Sequence, residues 1–324
     1  MKKRLIATAV LALVGTSAAF GQVDPLKGGS SNINNVEVGL SDLSYAPLIA
    51  PLGYAGISMK RNDGNFSKVI PLRTPVSIVT AFASDGGSGK YVAGIPLIMP
   101  NIAQVWWKSD PTGTGAANVY SLRQLQYPAA SEWPHFGGLV IGRVIGTGNT
   151  NGVYFGEWSP AVPGTPTTSD SRNLNMTDGN RTVWYVGDNP VTSMPTKINA
   201  TYNVVGISQT GTNSLGATLP GGLPHNPNLY SGTLDVSYSS GSGGTIGAGS
   251  TNNSISRVVG GATHTISFAG TTISSNGTFT NSATTNAING RFYNSAEALA
   301  GIYTNGTYAD AAFGGSKVSG TINP

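Results

Sequence analysis

The 324-residue chain contains no cysteine. That excludes disulfides and thiolate metal sites, and it leads us to expect a protein without a lipidated cysteine behind its leader. Charge is scarce as well, at 10% of residues. Three of the 18 basic residues are Lys2, Lys3 and Arg4, which leaves 15 against 14 acidic residues and a formal charge of +1 in the remainder. The basic pI of about 9.2 is therefore no argument for a nucleic-acid partner or an anionic membrane. Histidine is present three times, at 135, 225 and 264, with no close spacing of the kind a histidine zinc site uses. No Gly-x-Ser-x-Gly elbow occurs. Gly86-Gly87-Ser88-Gly89-Lys90-Tyr91 fails as a phosphate loop, because Ser84 stands where a glycine is needed and Tyr91 replaces the Ser or Thr; it reads as part of a hairpin. The acids Glu37, Asp42, Asp63, Asp85, Glu132, Glu157, Asp178 and Asp188 show no pairing by spacing. The chain reads as a non-enzyme.

The first residues form a secretory leader. Lys2, Lys3 and Arg4 are its positive end, Leu5 to Val14 its apolar run, and Ala19-Phe20-Gly21 its cleavage signal, so residues 1–21 are read as signal peptide. The apolar run is too short to span a bilayer, and no other long one follows. Without disulfides, stability must come from packing, and about 300 residues suffice for one or two substantial cores.

Beyond the leader the pattern is all-β. Short apolar runs such as Val76-Ser77-Ile78-Val79, Val153-Tyr154-Phe155 and Val183-Trp184-Tyr185-Val186 alternate with breakers such as Asp63-Gly64, Asp85-Gly86-Gly87 and Pro163-Gly164. A short helix is expected around Val119 to Leu125, and Thr147–Gly152 and Pro160–Thr177 are long polar connections. Residues 189–196 carry Pro190 and Pro195 and read as a linker. Past it, Leu234, Val236 and Tyr238 share one strand face, as do Ile288, Gly290 and Phe292, with turns about every ten residues, the texture of an antiparallel barrel or sandwich. Ser239–Ser250 reads as a flexible Gly/Ser loop, and Ser295–Gly301 as one helical turn capped by Ser295. His264 shares a face with Ile266 and Phe268 and is expected in the core, or on the surface if the face is inverted. His225 reads as an exposed loop residue between prolines. Trp106 and Trp107 point to opposite faces if they lie in a strand, one to the core and the other to solvent or a ligand.

One stretch concentrates unusual features: Glu132-Trp133-Pro134-His135-Phe136-Gly137-Gly138. Pro134 fixes its own φ and pushes Trp133 to an extended conformation, while the glycines permit a sharp turn. His135 thus lies on a stiff, aromatic-walled turn before the apolar run Leu139-Val140-Ile141. A site holding a flat apolar ring by one metal bond needs that combination. The plainer reading is a loop histidine packed beside two aromatics. Neutral imidazole is a good ligand for haem iron. Trp133, Phe136, Tyr127, Met99 and Trp107 are candidate walls for such a ring. Arg143, Lys108, Arg73 and Tyr54 are candidate partners for its acidic substituents, and a sixth ligand could be absent or come from His225, a tyrosine or a methionine.

The stretch Asn289-Gly290-Arg291-Phe292-Tyr293-Asn294-Ser295-Ala296-Glu297-Ala298-Leu299-Ala300-Gly301, followed by Ala312-Phe313-Gly314-Gly315-Ser316-Lys317, resembles the closing strands of transferrin-binding-protein-B-like barrels. With Gly156-Glu157-Trp158-Ser159-Pro160 and Val183–Pro190 upstream, residues 36–324 resemble a hemophilin, a secreted bacterial haem-binding cargo of the Slam-type (type XI) outer-membrane translocon. The resemblance implies an N-terminal β-rich haem-binding clamp (residues 22–188), a linker (189–196) and an eight-stranded antiparallel β-barrel (197–324). It further implies haem b (Fe-protoporphyrin IX) as cofactor with His135 on the iron, flanked by Trp133, Phe136, Tyr127 and Arg143. As partners it implies the Slam-type translocon, a TonB-dependent outer-membrane haem receptor and host haem proteins. The expected location is outside a Gram-negative cell or at its surface, reached through a Sec signal, without a lipid anchor. Some members of this barrel superfamily serve host association, so a cofactor-free interaction factor stands as the alternative.

Overall fold

The computed structural model describes residues 27–43, 52–91, 103–124, 134–160, 181–208, 229–259, 261–282, 286–305 and 310–324. The leader 1–21 lies outside them. Among the described residues there are three sheets. The first has seven strands: β1 (Lys27–Ser30), β5 (Ser88–Tyr91), β6 (Ala103–Lys108), β7 (Ala117–Gln124), β8 (Gly138–Val144), β9 (Val153–Ser159) and β10 (Thr182–Gly187). They lie in the order β1-β10-β9-β8-β7-β6-β5, every neighbour antiparallel. A small sheet, β2 (Val36–Leu40), β3 (Ala55–Met59) and β4 (Ile70–Pro71), packs with helix α1 (Arg73–Phe82) on one face of it. The third sheet holds β11 (Lys197–Ile207), β12 (Leu229–Ser239), β13 (Gly243–Ile246), β14 (Asn253–Val259), β15 (Ala262–Ser267), β16 (Thr271–Ile273), β17 (Thr278–Asn281), β18 (Ala287–Tyr293), β19 (Ala298–Thr304) and β20 (Ala311–Asn323).

Eight of these last strands close into an antiparallel barrel, because β11 pairs with both β20 and β12. The hairpin β14–β15 branches from β12 outside the ring. The lumen is filled: Phe279 packs against Phe292 at 5.3 Å and Phe268 against Phe313 at 4.9 Å between ring centroids, with Tyr202 beside Phe292. This is a packed core with its alternating inward residues, Leu234, Val236 and Tyr238 among them.

The central strands of the seven-stranded sheet are buried on both faces, which is why their sequences read as continuous apolar runs. Leu139, Ile141, Trp158, Trp184 and Val186 face α1 and the small sheet. Val140, Phe155, Val183 and Tyr185 face the other way, into a core shared with Val205, Tyr293, Ile302 and Ala312 of the barrel. The sheet therefore lies between two cores, and one of these belongs equally to the barrel.

Several expectations are corrected. Val76–Val79 is helical, not a strand. Pro75 sits in the first turn, where its missing N–H costs nothing, and Val76 and Val79 face inward together. The hydroxyls of Ser77 and Thr80 bond back to Arg73 and Val76 carbonyls at 2.8 and 3.2 Å. Val119–Gln124 lies within strand β7 and is not helical, and Leu125 lies outside the described residues. Ser239–Ser250 contains β13, turned by Gly241 and Gly243 at positive φ. The expected helical turn at Ser295 is a hairpin turn in which Asn294, Ser295 and Ala296 have φ of 53°, 56° and 70°. It is held by Asn294 N–H to Asn189 O at 2.9 Å, Lys317 N–H to Glu297 O at 3.0 Å and the Tyr202 hydroxyl to Ala296 O. The segment 189–196 is no loose linker. Val191 and Met194 are buried, and their N–H groups donate to Phe292 O at 2.9 Å and Ser275 O at 2.8 Å. His264 keeps the parity of Ile266 and Phe268 but is exposed, because β15 runs past the barrel and pairs only with β14 there.

Candidate functional site at the end of the first sheet

The chain leaves the seven-stranded sheet after Tyr91, Gln124 and Ser159 and re-enters at Ala103, Gly138 and Thr182. The registers Tyr91↔Ala103, Ala103↔Gln124, Arg123↔Gly138, Gly138↔Ser159 and Thr182↔Trp158 put all six at one end. His135 lies there, just before β8. Its two neighbours are held by one side chain. Gln124 Nε2 donates to Pro134 O at 3.1 Å, and Gln124 Oε1 accepts from Phe136 N–H at 2.9 Å. One residue on, Gly137 N–H donates to Ser159 O at 2.9 Å. Pro134, Phe136 and Gln124 are buried and His135 is half-buried, with both imidazole nitrogens beneath the surface.

The other named candidates fall in three places. Tyr127 and Trp133, with Met99 and His225, lie outside the described residues. Phe136 is close to His135 in the chain, but its ring belongs to the core beneath the turn, so it supports the histidine from below. Arg143 is not brought to His135. It stands toward the far end of β8, five residues or about 17 Å beyond Gly138, and its Nη2 donates to Thr147 O at 2.7 Å. Arg73 stacks on Tyr54, its guanidinium carbon 3.8 Å from the ring centroid, and reaches Asn149 O at 3.2 Å, also at the far end. Lys108, at the far end of β6, lies 3.4 Å from Asp85. Trp106 and Trp107 do point to opposite faces. Trp106 joins the core shared with the barrel, and Trp107 donates to Ala83 O at 2.9 Å while stacking on Tyr120.

Sequence reasoning missed the cations that do stand at the histidine's end. Arg123 is fully buried on β7. Arg181 Nη1 lies 2.8 Å from Glu157 Oε2, with side-chain exposures of 7% and 0%. From the barrel side, Arg257 donates to Ser208 O at 2.6 Å and stacks on Tyr230, and burial pushes its guanidinium below the ordinary value. The available signal was an arginine inside an apolar strand, since buried arginines are uncommon unless paired. Gln124 carried no signal, because only the antiparallel return brings position 124 against 134 and 136.

Among the described residues no three His, Asp or Glu side chains group as an ion site. One imidazole on a fixed turn is a donor set that fits an iron porphyrin, whose ring fills four positions itself.

No family model matches the chain. It is similar in structure to an intact two-lobe transferrin binding protein B (11% identity, TM-score 0.33), over 92% of this chain and 46% of that one, so it spans about half that protein's length. It is also similar to a point mutant of transferrin binding protein B from Actinobacillus pleuropneumoniae H49 (11% identity, TM-score 0.32, 91% of this chain and 100% of that one). A third similar structure is the N-lobe of lactoferrin binding protein B of Moraxella bovis (12% identity, TM-score 0.30, 87% and 98%). At these scores the likenesses speak to neither ligand nor partner.

Proposed function

We propose that this protein is a secreted, non-enzymatic hemophore that holds the iron of haem b through His135 and passes the haem to a TonB-dependent outer-membrane receptor. The observation that carries the reading is the bracketed histidine. Its backbone is fixed on both sides by buried hydrogen bonds at the end of an apolar core. When bound, haem would supply an iron that accepts a nitrogen ligand. The chain's part is to present a neutral imidazole there and to keep water away from it. Phe136 anchors the presenting turn in the core. Tyr127 and Trp133, between Gln124 and Pro134 in the chain, are the proposed walls. Arg143 takes no part in this site, because it stands at the other end of β8.

The barrel's lumen is occupied by its own aromatic side chains, which supports a role for its exterior. We assign that exterior to recognition by a Slam-type translocon and to receptor contact after export through the leader 1–21. Host haem proteins are the proposed source.

The test is spectroscopic. Purified protein lacking 1–21 is titrated with hemin, and a shifted Soret band saturating at one equivalent is expected. His135→Ala should abolish the shift while the circular dichroism spectrum stays that of the parent. No change in the parent's Soret band would turn the reading to a cofactor-free partner-binding protein. An unaltered band in His135→Ala would place the iron elsewhere.

A further inference from the structure

We infer that Gln124 is the positioning residue of the His135 site. The inference takes its ligand from the haem reading, but its geometry stands on contacts within the chain. Gln124 is the last residue of β7, and the β7–β8 ladder ends at Arg123↔Gly138. Beyond that rung, among the described residues, no backbone pairing of β7 with the turn before β8 continues the ladder. The Gln124 side chain takes over. Its amide presents a donor and an acceptor in one plane, as a peptide group does, and it meets the carbonyl of Pro134 and the N–H of Phe136. These are the groups on either side of His135. Pro134 has no N–H of its own, so its carbonyl is the one backbone group it offers. Both groups are buried and require partners.

The consequence for a ligand is direct. Whether imidazole reaches a metal depends on the backbone dihedrals at 135, and those are set by the peptide groups before and after it. Gln124 clamps both. Such a residue touches neither metal nor ring, yet it decides where the imidazole points. Residues one step behind a metal ligand typically change affinity by about 10–100-fold when replaced.

Three variants in the full mature chain test this. Gln124→Met keeps the volume and removes both hydrogen bonds. Gln124→Glu keeps the acceptor for Phe136 N–H and loses the donor to Pro134. Gln124→Asn is too short to span both. With the parent binding hemin through His135, Gln124→Met is expected to weaken haem about 10–100-fold and to move the Soret band toward that of His135→Ala. Gln124→Glu should fall between, with circular dichroism preserved in each. A Gln124→Met protein with parental affinity and Soret position would overturn the inference.

A second readout needs no haem. The chain has only three histidines, so His135 ring signals are assigned in proton NMR by their loss in His135→Ala. Gln124→Met should move them toward solvent-exposed imidazole values and leave the signals of His225 and His264 in place. Unmoved His135 signals would overturn the positioning role whatever hemin does. A parent that ignores hemin while Gln124→Met moves those signals would instead end the haem reading and leave the positioning intact.

Discussion

The ring of Phe155 on β9 lies against Gly314 on β20, so close that a methyl group at 314 would overlap it; Gly142 on β8 flanks the same ring just as tightly. An aromatic of the first sheet is thus seated against the backbone of the barrel. Gly314 does not occupy the left-handed region, so its requirement is spatial and not conformational. Gly314→Ala is expected to destabilise the protein by about 1–3 kcal/mol through overpacking. A lower denaturant midpoint at unchanged slope would report it. Adding Phe155→Leu should recover part of the loss, and a double-mutant cycle measures how much.

The shared core predicts joint unfolding. All five tryptophans precede residue 188, so their fluorescence reports the first sheet and its connections, whereas far-ultraviolet circular dichroism reports strands in both halves. The two probes should give one coincident transition. Limited proteolysis should leave 189–196 uncut while the fold persists, since Val191 and Met194 are tied to the barrel. Two separated transitions would show that the shared core contributes little.

Alkali should unfold the protein sharply. Burial pushes the phenols of Tyr154 and Tyr185 up to about 12, and raises those of Tyr202 and Tyr293 well above the ordinary value. A folded pKa above the unfolded value of about 10 favours the neutral form in the fold. The resulting stability is full below about pH 10 and is lost as pH rises toward about 12. Tyrosinate absorbance from these residues should therefore appear together with loss of the circular dichroism signal, after exposed tyrosines have titrated. Full tyrosinate formation in a still-folded protein would contradict the burial described here.

Much of the fold was legible because strand parity is a local property. Leu234, Val236 and Tyr238 alternate and point inward as read, and Val183–Val186 is continuous because the sheet has a core on each side. The helix was not legible, because Val76, Ile78, Val79 and Thr80 are β-branched and their propensity is overridden by packing of one face. His264 had the right parity, but parity does not say where a barrel stops. At the site, His135 and its turn were visible as composition. Arg143 was grouped with it by closeness along the chain, although an extended strand carries each residue about 3.3 Å further from the turn. The partners that hold the turn, Gln124 and Ser159, become neighbours only once the register of β7, β8 and β9 is known.

The two ends of the first sheet live under different rules. At one end, Asn203 donates to Thr114 O and Ser316 to Gly115 O, so that return is stitched to the barrel. At the other, strands exit at Tyr91, Gln124 and Ser159, while their register is set elsewhere, by the ladders and by the cores on both faces. Strand register at the His135 end thus rests on the sheet's own ladders and cores, whereas at the opposite end the sheet shares its hold with the barrel.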